Sequence, residues 1–287
     1  MTFTSAANTG PTEMDLILGV VQDELIRSAK LLTTIVDYTS SVADGIKQIE
    51  IPRYDSHFAD PADQNPDGTT PVTAQTVDFA VDTLALDKWK TLAYEIPDRV
   101  SRQSRIPLEA ELAASAGRTF GKYMDDEIIA VLRQASAAAP DHRTQLQGGT
   151  NDEITLDNVA EARELLNKAD VTEEDRFLII SPAQERHMLN IQNFIRANEY
   201  GSREALLDAE IGRVFGFRVM VHNGLADAEA IAYQRQAAGY AMQKSMQFET
   251  RRADLKLQKN EYAFSAGWGT VLLEQGVKQV LMNATGA

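Results

Sequence analysis

The sequence predicts an α+β chain organised around one long helix. Three observations carry this. Apolar residues recur at about every fourth position from Leu108 through Leu112, Ala116, Phe120, Met124, Ile128 and Leu132. Apolar and polar residues alternate over residues 46–96 and again from Met246 to Met282. Between these regions, helix-period and strand-like segments take turns. The 287 residues equal about two ordinary domains or one elaborate one. With 44% apolar and 24% charged residues, the chain has enough core-forming side chains to exclude wholesale disorder.

The elements follow in order. Residues 1–12 are small and polar, with Gly10-Pro11 as a breaker, and read as a loose arm. Thr12 can cap a helix with Glu13 and Asp15 in its first turn. Leu16, Val20, Leu25, Leu31, Leu32 and Ile35 extend that helical stripe to about Tyr38. Ile49 and Ile51 then alternate as in a strand. Four of the nine prolines lie between Pro52 and Pro71, amid several Asp. Alternation resumes at Val77, Phe79, Val81, Leu84 and Leu86 and runs on to Tyr94 and Ile96. This is two long strands joined by a long acidic tip, a ribbon that needs a surface to lie on. Pro107 sits at the first position of the long helix, with Glu109 and Glu111 in its first turn. The helix is expected to end near Ala138, before Pro140, at a length above about 40 Å. After Gly148-Gly149, a helix is expected over Thr155–Lys168 and a buried strand over Phe177–Ile180. Ser181-Pro182-Ala183-Gln184 is a capping box opening a helix to about Ile191. Strands are expected at Phe215–Val221, closed by Asn223-Gly224, and at Ala230–Tyr233. Several long strands follow from Met246 to the C-terminus. No internal repeat is visible.

Composition excludes several classes. Zero Cys removes a disulfide scaffold, a Cys-ligated zinc site and a thiol nucleophile. A net charge of -14 argues against a sequence-reading nucleic-acid binder. The first basic residue is Arg27, so no secretory signal is expected. No window approaches about 18 apolar residues, so no membrane span is expected. The Asn283-Ala284-Thr285 triplet reads as a chance glycosylation match.

Residue types that carry chemistry do not converge in the sequence. His57, His142, His187 and His222 have no second ligand at a metal spacing on one helix face. Gly212 and Gly216 lack a third glycine, and Gly121-Lys122 lacks the following Ser or Thr of a phosphate loop. Asp125-Asp126-Glu127 point in different directions on a helix and are expected on a solvated face or in an inter-subunit ion pair. Glu173-Glu174-Asp175 reads as a solvated loop. Arg251, Arg252, Lys256 and Lys259 alternate with Glu249, Asp254 and Glu261, a mixed-charge face suited to protein contacts. Trp89 and Trp268 are expected to pack. No catalytic residue, cofactor-binding residue or metal ligand is expected, and the chain is expected not to be an enzyme.

Three segments carry a family resemblance. "IPDRVSRQSRIPLEAELAASAGRTFGKYMDDEIIAVL" resembles a lead into a spine helix, with an acidic residue (Asp125 or Asp126) before an apolar turn. "FLIISPAQERHMLN" resembles a strand–Pro–helix unit, and "IGRVFGFRVMVHNGL" the glycine-bracketed strand after it. In that order they resemble the major capsid proteins of tailed bacteriophages with the Hong Kong 97-type capsid fold. The resemblance implies an N-terminal arm (1–45), an extended loop over a neighbouring subunit (46–97), a peripheral domain (98–150 and 241–287) and an axial domain (151–240). It implies hexameric and pentameric capsomers of one chain, forming an icosahedral shell around double-stranded DNA. Because the arm helix starts within a dozen residues of Met1, a separate scaffolding protein, or none, is expected. A portal protein and a decoration protein are the other expected partners. The expected location is the virion, with assembly in the host bacterial cytoplasm. Many weak contacts would add by multivalency, and the negative charge would keep the wall from sticking to DNA. Gly148-Gly149 and the loop bases near Pro52 and Pro97 are the expected hinges. An encapsulin-type cellular shell is the alternative within the fold, and an acidic oligomeric α/β enzyme the alternative outside it.

Overall fold

The computed structural model describes residues 21, 24–25, 28–43, 45–55, 78–99, 108–137, 141–149, 152–190, 212–254 and 258–285. In chain order its strands are β1 (Val36–Asp37), β2 (Gln48–Asp55), β3 (Asp78–Ala85), β4 (Lys88–Pro97), β5 (Arg143–Gln145), β6 (Arg176–Ile180), β7 (Arg213–Val214), β8 (Phe217–Val221), β9 (Glu229–Gln234), β10 (Ala238–Asp254), β11 (Lys259–Leu272) and β12 (Gln279–Asn283). The helices are α1 (Leu108–Leu132), α2 (Leu156–Lys168) and α3 (Pro182–Asn190). The ribbon tip (56–77), the first 20 residues, Pro107, Pro140 and His57 lie outside the described residues.

A six-stranded mixed sheet runs in the order β5-β12-β9-β6-β8-β7. Its central strands are apolar at nearly every position because both faces are covered. Leu178, Ile180, Ala230, Ala232, Val280 and Met282 turn to one face, against Val159, Ala162 and Leu166 of α2 and Met188 of α3. Phe177, Ile179, Ile231, Tyr233 and Leu281 turn to the other, against Ile128, Ile129 and Leu132 of α1 and Leu31 and Ile35 of the arm. The period-two alternation thus assigns each side chain to one of two cores.

The second sheet has the order β1-β10-β11-β4. The N-terminal part of α1 covers it: Ala113, Ala116, Phe120 and Met124 meet Met246, Tyr262, Phe264, Ala266 and Trp268. The rings of Phe120 and Trp268 meet edge to face at 6.4 Å. One helix therefore serves two sheets, one at each end. The ribbon is the third sheet, β2 against β3, with Gln48 opposite Ala85 and Asp55 opposite Asp78. Its base rests on the back of the second sheet through Leu84, Leu86 and Ala241. Gly269 lies under that base, where a Cβ would collide with the Ala85 carbonyl.

Several elements end where tertiary contacts, rather than local pattern, decide. Helix α1 stops at Leu132 instead of near Ala138, making 25 residues and about 37 Å at ~1.5 Å each. Arg133 turns to Glu229 and to the Gly224 carbonyl, and the Ser136 N–H donates to the Gly276 carbonyl. The arm helix does not reach Tyr38. Helical geometry ends at Ser28, and a 3-10 turn (Leu32–Thr34) and β1 follow. The second ribbon strand is broken at Leu86-Asp87, where the Leu86 N–H donates to the Lys47 carbonyl; beyond it β4 leaves the ribbon to pair with β11. Phe215 is not in a strand. With Gly216 it forms a two-residue hairpin turn at positive φ (47° and 90°), with Val214 opposite Phe217 across it. Ser181 caps α3 as expected, accepting from the Gln184 N–H at 3.3 Å. The Gln184 amide does not return the bond. It donates to the Asp152 and Asp227 carbonyls and accepts from the Ile154 N–H.

The arm is seated on α1 along one line. At Gly117 a Cβ would stand 2.6 Å from the Val21 carbonyl oxygen, and at Gly121 it would strike Ser28. One turn further, the fully buried Asp125 carboxylate accepts from the Lys30 N–H (3.0 Å) and the Leu31 N–H (3.1 Å). The Tyr233 hydroxyl donates to Thr34, whose own hydroxyl donates to the Leu31 carbonyl. Asp125→Ala strands the buried Leu31 amide and the part-buried Lys30 amide, at about 1–3 kcal/mol for a fully buried group. The expected loss is about 3 kcal/mol in denaturant unfolding, with the arm cleaved first in limited proteolysis.

At the far end of α1, Arg133 holds Glu229 through two bonds of 2.7 Å. Burial pushes the Glu229 carboxyl up, but the bonds from Arg133 and the Ala226 N–H outweigh it and hold it below the usual range. A depressed carboxyl pKa contributes stability that is present above the unfolded value of about 4.3 and is lost as pH falls through the folded value. Glu229→Gln is therefore expected to flatten the acid limb of a stability–pH curve below about pH 4. An unchanged limb would place the acid sensitivity elsewhere.

Candidate functional site

Chemistry-bearing side chains meet most closely at Asp125. His222 Nε2 donates to Asp125 Oδ2 at 3.1 Å, and His222 Nδ1 accepts from the Gly224 N–H at 2.9 Å. Ser28, Lys30 and Lys122 line the same cleft of about 250 Å³. The arrangement contains a Ser, a His and an Asp, but it is wired as a tether. Both imidazole nitrogens are engaged, and the Ser28 hydroxyl donates to the Leu25 and Gly117 carbonyls. No nitrogen is left to take a proton from Ser28. The expectation of a solvated Asp125 is corrected: it is the least exposed of its triplet because the arm's amides need an acceptor inside α1. Asp126 and Glu127 diverge from it, as expected, and Glu127 faces Lys88 at 3.7 Å.

The other residues singled out are dispersed. His142 is buried, its Nδ1 against the Gln279 carbonyl. His187 faces Glu153 at 3.2 Å. Glu173 pairs with Arg163 at 2.9 Å. Arg251 pairs with Glu261, Arg252 with Asp98 and Lys259 with Glu95, which makes the mixed-charge face expected of β10 and β11; Lys256 lies outside the described residues. Gly216 serves the hairpin turn. Trp268 is buried, but Trp89 is 55% exposed, contrary to expectation. It lies over Gly267, under the Lys244 ammonium at 5.8 Å from the ring centre. No group of three potential metal ligands occurs among the described residues. No described helix is long and apolar enough to cross a membrane.

What the geometry offers instead is contact surface. Strand β4 is an outer strand of its sheet, with Trp89, Thr91, Ala93 and Glu95 exposed on the side away from α1. Beyond its two-residue pairing with β1, strand β10 has no further strand partner on that side among the described residues. The ribbon is a two-stranded element, too small to be stable alone. Such edges are an aggregation hazard unless a defined partner covers them. Sequence reasoning found the ribbon and the spine. It missed the Asp125 tether, whose signal (Gly117, Gly121 and Asp125 at intervals of four) was legible only as spacing.

Comparisons agree with a protein made of such surfaces. The profile of the family described as phage capsid protein matches residues 27–283. No curated protein matches significantly. A chain from Mycobacterium phage Che8 is similar in fold (TM-score 0.70, 19% identity), with 88% of this chain and 90% of that one covered. So is a chain of the bacteriophage PhiM1 mature capsid (TM-score 0.70, 11% identity, 100% and 92% covered). A virus-like particle from Pyrococcus furiosus is similar at a TM-score of 0.58 (11% identity, 95% and 100% covered). The architecture is the Hong Kong 97-type capsid fold, and the chain belongs to the phage capsid protein family.

Proposed function

We propose that this capsid protein is the repeated wall subunit of a tailed-phage head, closing as hexamers and pentamers into an icosahedral shell around double-stranded DNA. The observation that carries the reading is the family match over residues 27–283, on a chain whose exposed strands and ribbon require neighbours. The layout proposed with it is an arm (1–45), an extended loop (46–97), a peripheral domain (98–150 and 241–287) and an axial domain (151–240), with β5 and β12 of the peripheral segments completing the six-stranded sheet of the axial one. The last strand of the loop, β4, is woven into the peripheral sheet through β11, which supports a firmly held loop base. A net charge of -14 per copy would repel packaged DNA, so a motor could load the shell without the wall binding its contents. A separate scaffolding protein, a portal and a decoration protein are the partners this role would use, with assembly in the host cytoplasm. A cellular shell of the same fold is the second reading.

Electron microscopy of the expressed chain tests the reading. Shells or ring-shaped capsomers are expected; a small discrete oligomer, with none of these even when a scaffold is supplied, overturns it. Deleting residues 56–74 is expected to leave thermal unfolding of the subunit unchanged while abolishing stable shells. Shells of normal yield would remove the ribbon from the account.

A further inference from the structure

The two ends of the six-stranded sheet differ in charge. At one edge, the β7–β8 hairpin sets Arg213 directly opposite Arg218, both exposed. Like charges directly opposite each other on a sheet repel and need a counter-charge to be stable. Neither guanidinium has an ion-pair or hydrogen-bond partner among the described residues. They border a cleft of about 440 Å³ together with Arg176 and the carboxylates Glu173, Glu174 and Asp175; Glu173 is taken by Arg163, and the other two pair with neither Arg213 nor Arg218. Between them, at the tip, Phe215 is 45% exposed and held at φ 47°, an unfavourable region for a bulky side chain. An exposed aromatic held in strain between two unpaired cations is the composition of a contact point.

At the opposite edge the exposed carboxylates lie on α2, while Arg143 of the edge strand β5 turns its Nε to the Ala135 carbonyl. Helix α2 packs over β12 and β5. Its Asn158 bonds the Gln145 carbonyl and the Gln147 N–H, which brings the next turn beside that edge. There the Gln147 amide donates to Glu161 at 3.4 Å, and Asp157 is exposed with no ion pair among the described residues. Partial burial, and then the neighbouring Glu164, raise the Glu161 carboxyl above its usual range. Residues four apart on a helix stand about 5–6 Å apart at Cβ. Directly opposed residues on a hairpin stand about 4.5–5.5 Å apart. The two pairs therefore leave their elements at similar Cβ spacing.

We propose that the β7–β8 hairpin of one copy docks on the α2–β5 edge of the next, with Arg213 and Arg218 meeting Asp157 and Glu161 and Phe215 lying between the copies. The proposal rests on the shell reading and names the surfaces that meet within a capsomer. A contact between opposite edges is head to tail, the type that forms a ring when its rotation closes. A symmetric contact of hairpin on hairpin would gather four unpaired arginines and is disfavoured.

The absence of cysteine makes the test clean. A variant with both Phe215→Cys and Asp157→Cys is oxidised in assembled material and run on a non-reducing gel. The expected result is a ladder of covalent multimers reaching pentamers and hexamers, with no crosslink in either single variant. A dimer from Phe215→Cys alone would show the symmetric contact and overturn the proposal. Monomer only, from material that forms normal shells in the microscope, overturns the proposal while leaving the shell reading intact. Failure of the unsubstituted chain to form any ring or shell overturns both. Charge reversal is the independent arm. Arg213→Glu with Arg218→Glu is expected to cut assembly about tenfold or more. Adding Asp157→Lys and Glu161→Lys is expected to restore it; no effect of the reversal, or no rescue, overturns the pairing.

Discussion

Residues 117, 121 and 125 stand one turn apart on a single line of α1, and the arm lies along that line. Two of the three have no side chain, so the arm's backbone can come within contact distance of the helix. The third supplies a buried carboxylate to the two amides at which the arm stops being helical. Apolar packing is non-directional. These contacts are directional, and they fix where Leu31 and Ile35 enter the core shared with Ile128, Ile129 and Leu132. That core is the underside of the six-stranded sheet. Through His222 the same carboxylate also reaches the end of β8. Arm, spine and sheet are thus joined at one residue.

From that junction the two ends of α1 divide the work. Its C-terminal half covers the six-stranded sheet, and Arg133 secures it to Glu229 at the start of β9. Its N-terminal half covers the sheet of β10 and β11. With one face of each sheet sealed by the same rigid rod, their spacing is set within the subunit and not by its neighbours. Among the described residues, what remains open is the ribbon, the β4 and β10 edges and the two ends of the six-stranded sheet. These are surfaces that a partner must cover, and the partner this account assigns is another copy of the chain.

The coarse plan was legible in the sequence because it rests on periodicity. Leu112, Phe120, Met124 and Ile128 announced the spine, and Leu178, Ile179 and Ile180 a strand buried on both faces. Charge alternation around Arg251 and Glu261 announced a surface of ion pairs. The failures share one cause, which is that long-range partners decided them. Nothing near Asp125 in sequence says that Lys30 and Leu31 will bring their amides to it. Ala135 continues a good helical run, yet the chain turns where Gly276 and Glu229 offer bonds to Ser136 and Arg133. Gln184 has the right place for a reciprocal cap but finds better partners in Asp152, Ile154 and Asp227. Phe215 reads as a strand residue by type, and only the Arg213–Arg218 register shows it to be a turn.

The claim that the arm is seated on the glycine line has a direct test in the sign of one substitution. Gly117→Ala in a helix interior normally stabilises by about 1 kcal/mol. Here the new Cβ would stand 2.6 Å from the Val21 carbonyl oxygen, so the arm would have to lift. Thermal unfolding of Gly117→Ala is therefore predicted to show a lower Tm than the parent, with faster proteolytic cleavage of the arm. A raised Tm, with the arm as resistant as before, would contradict the account.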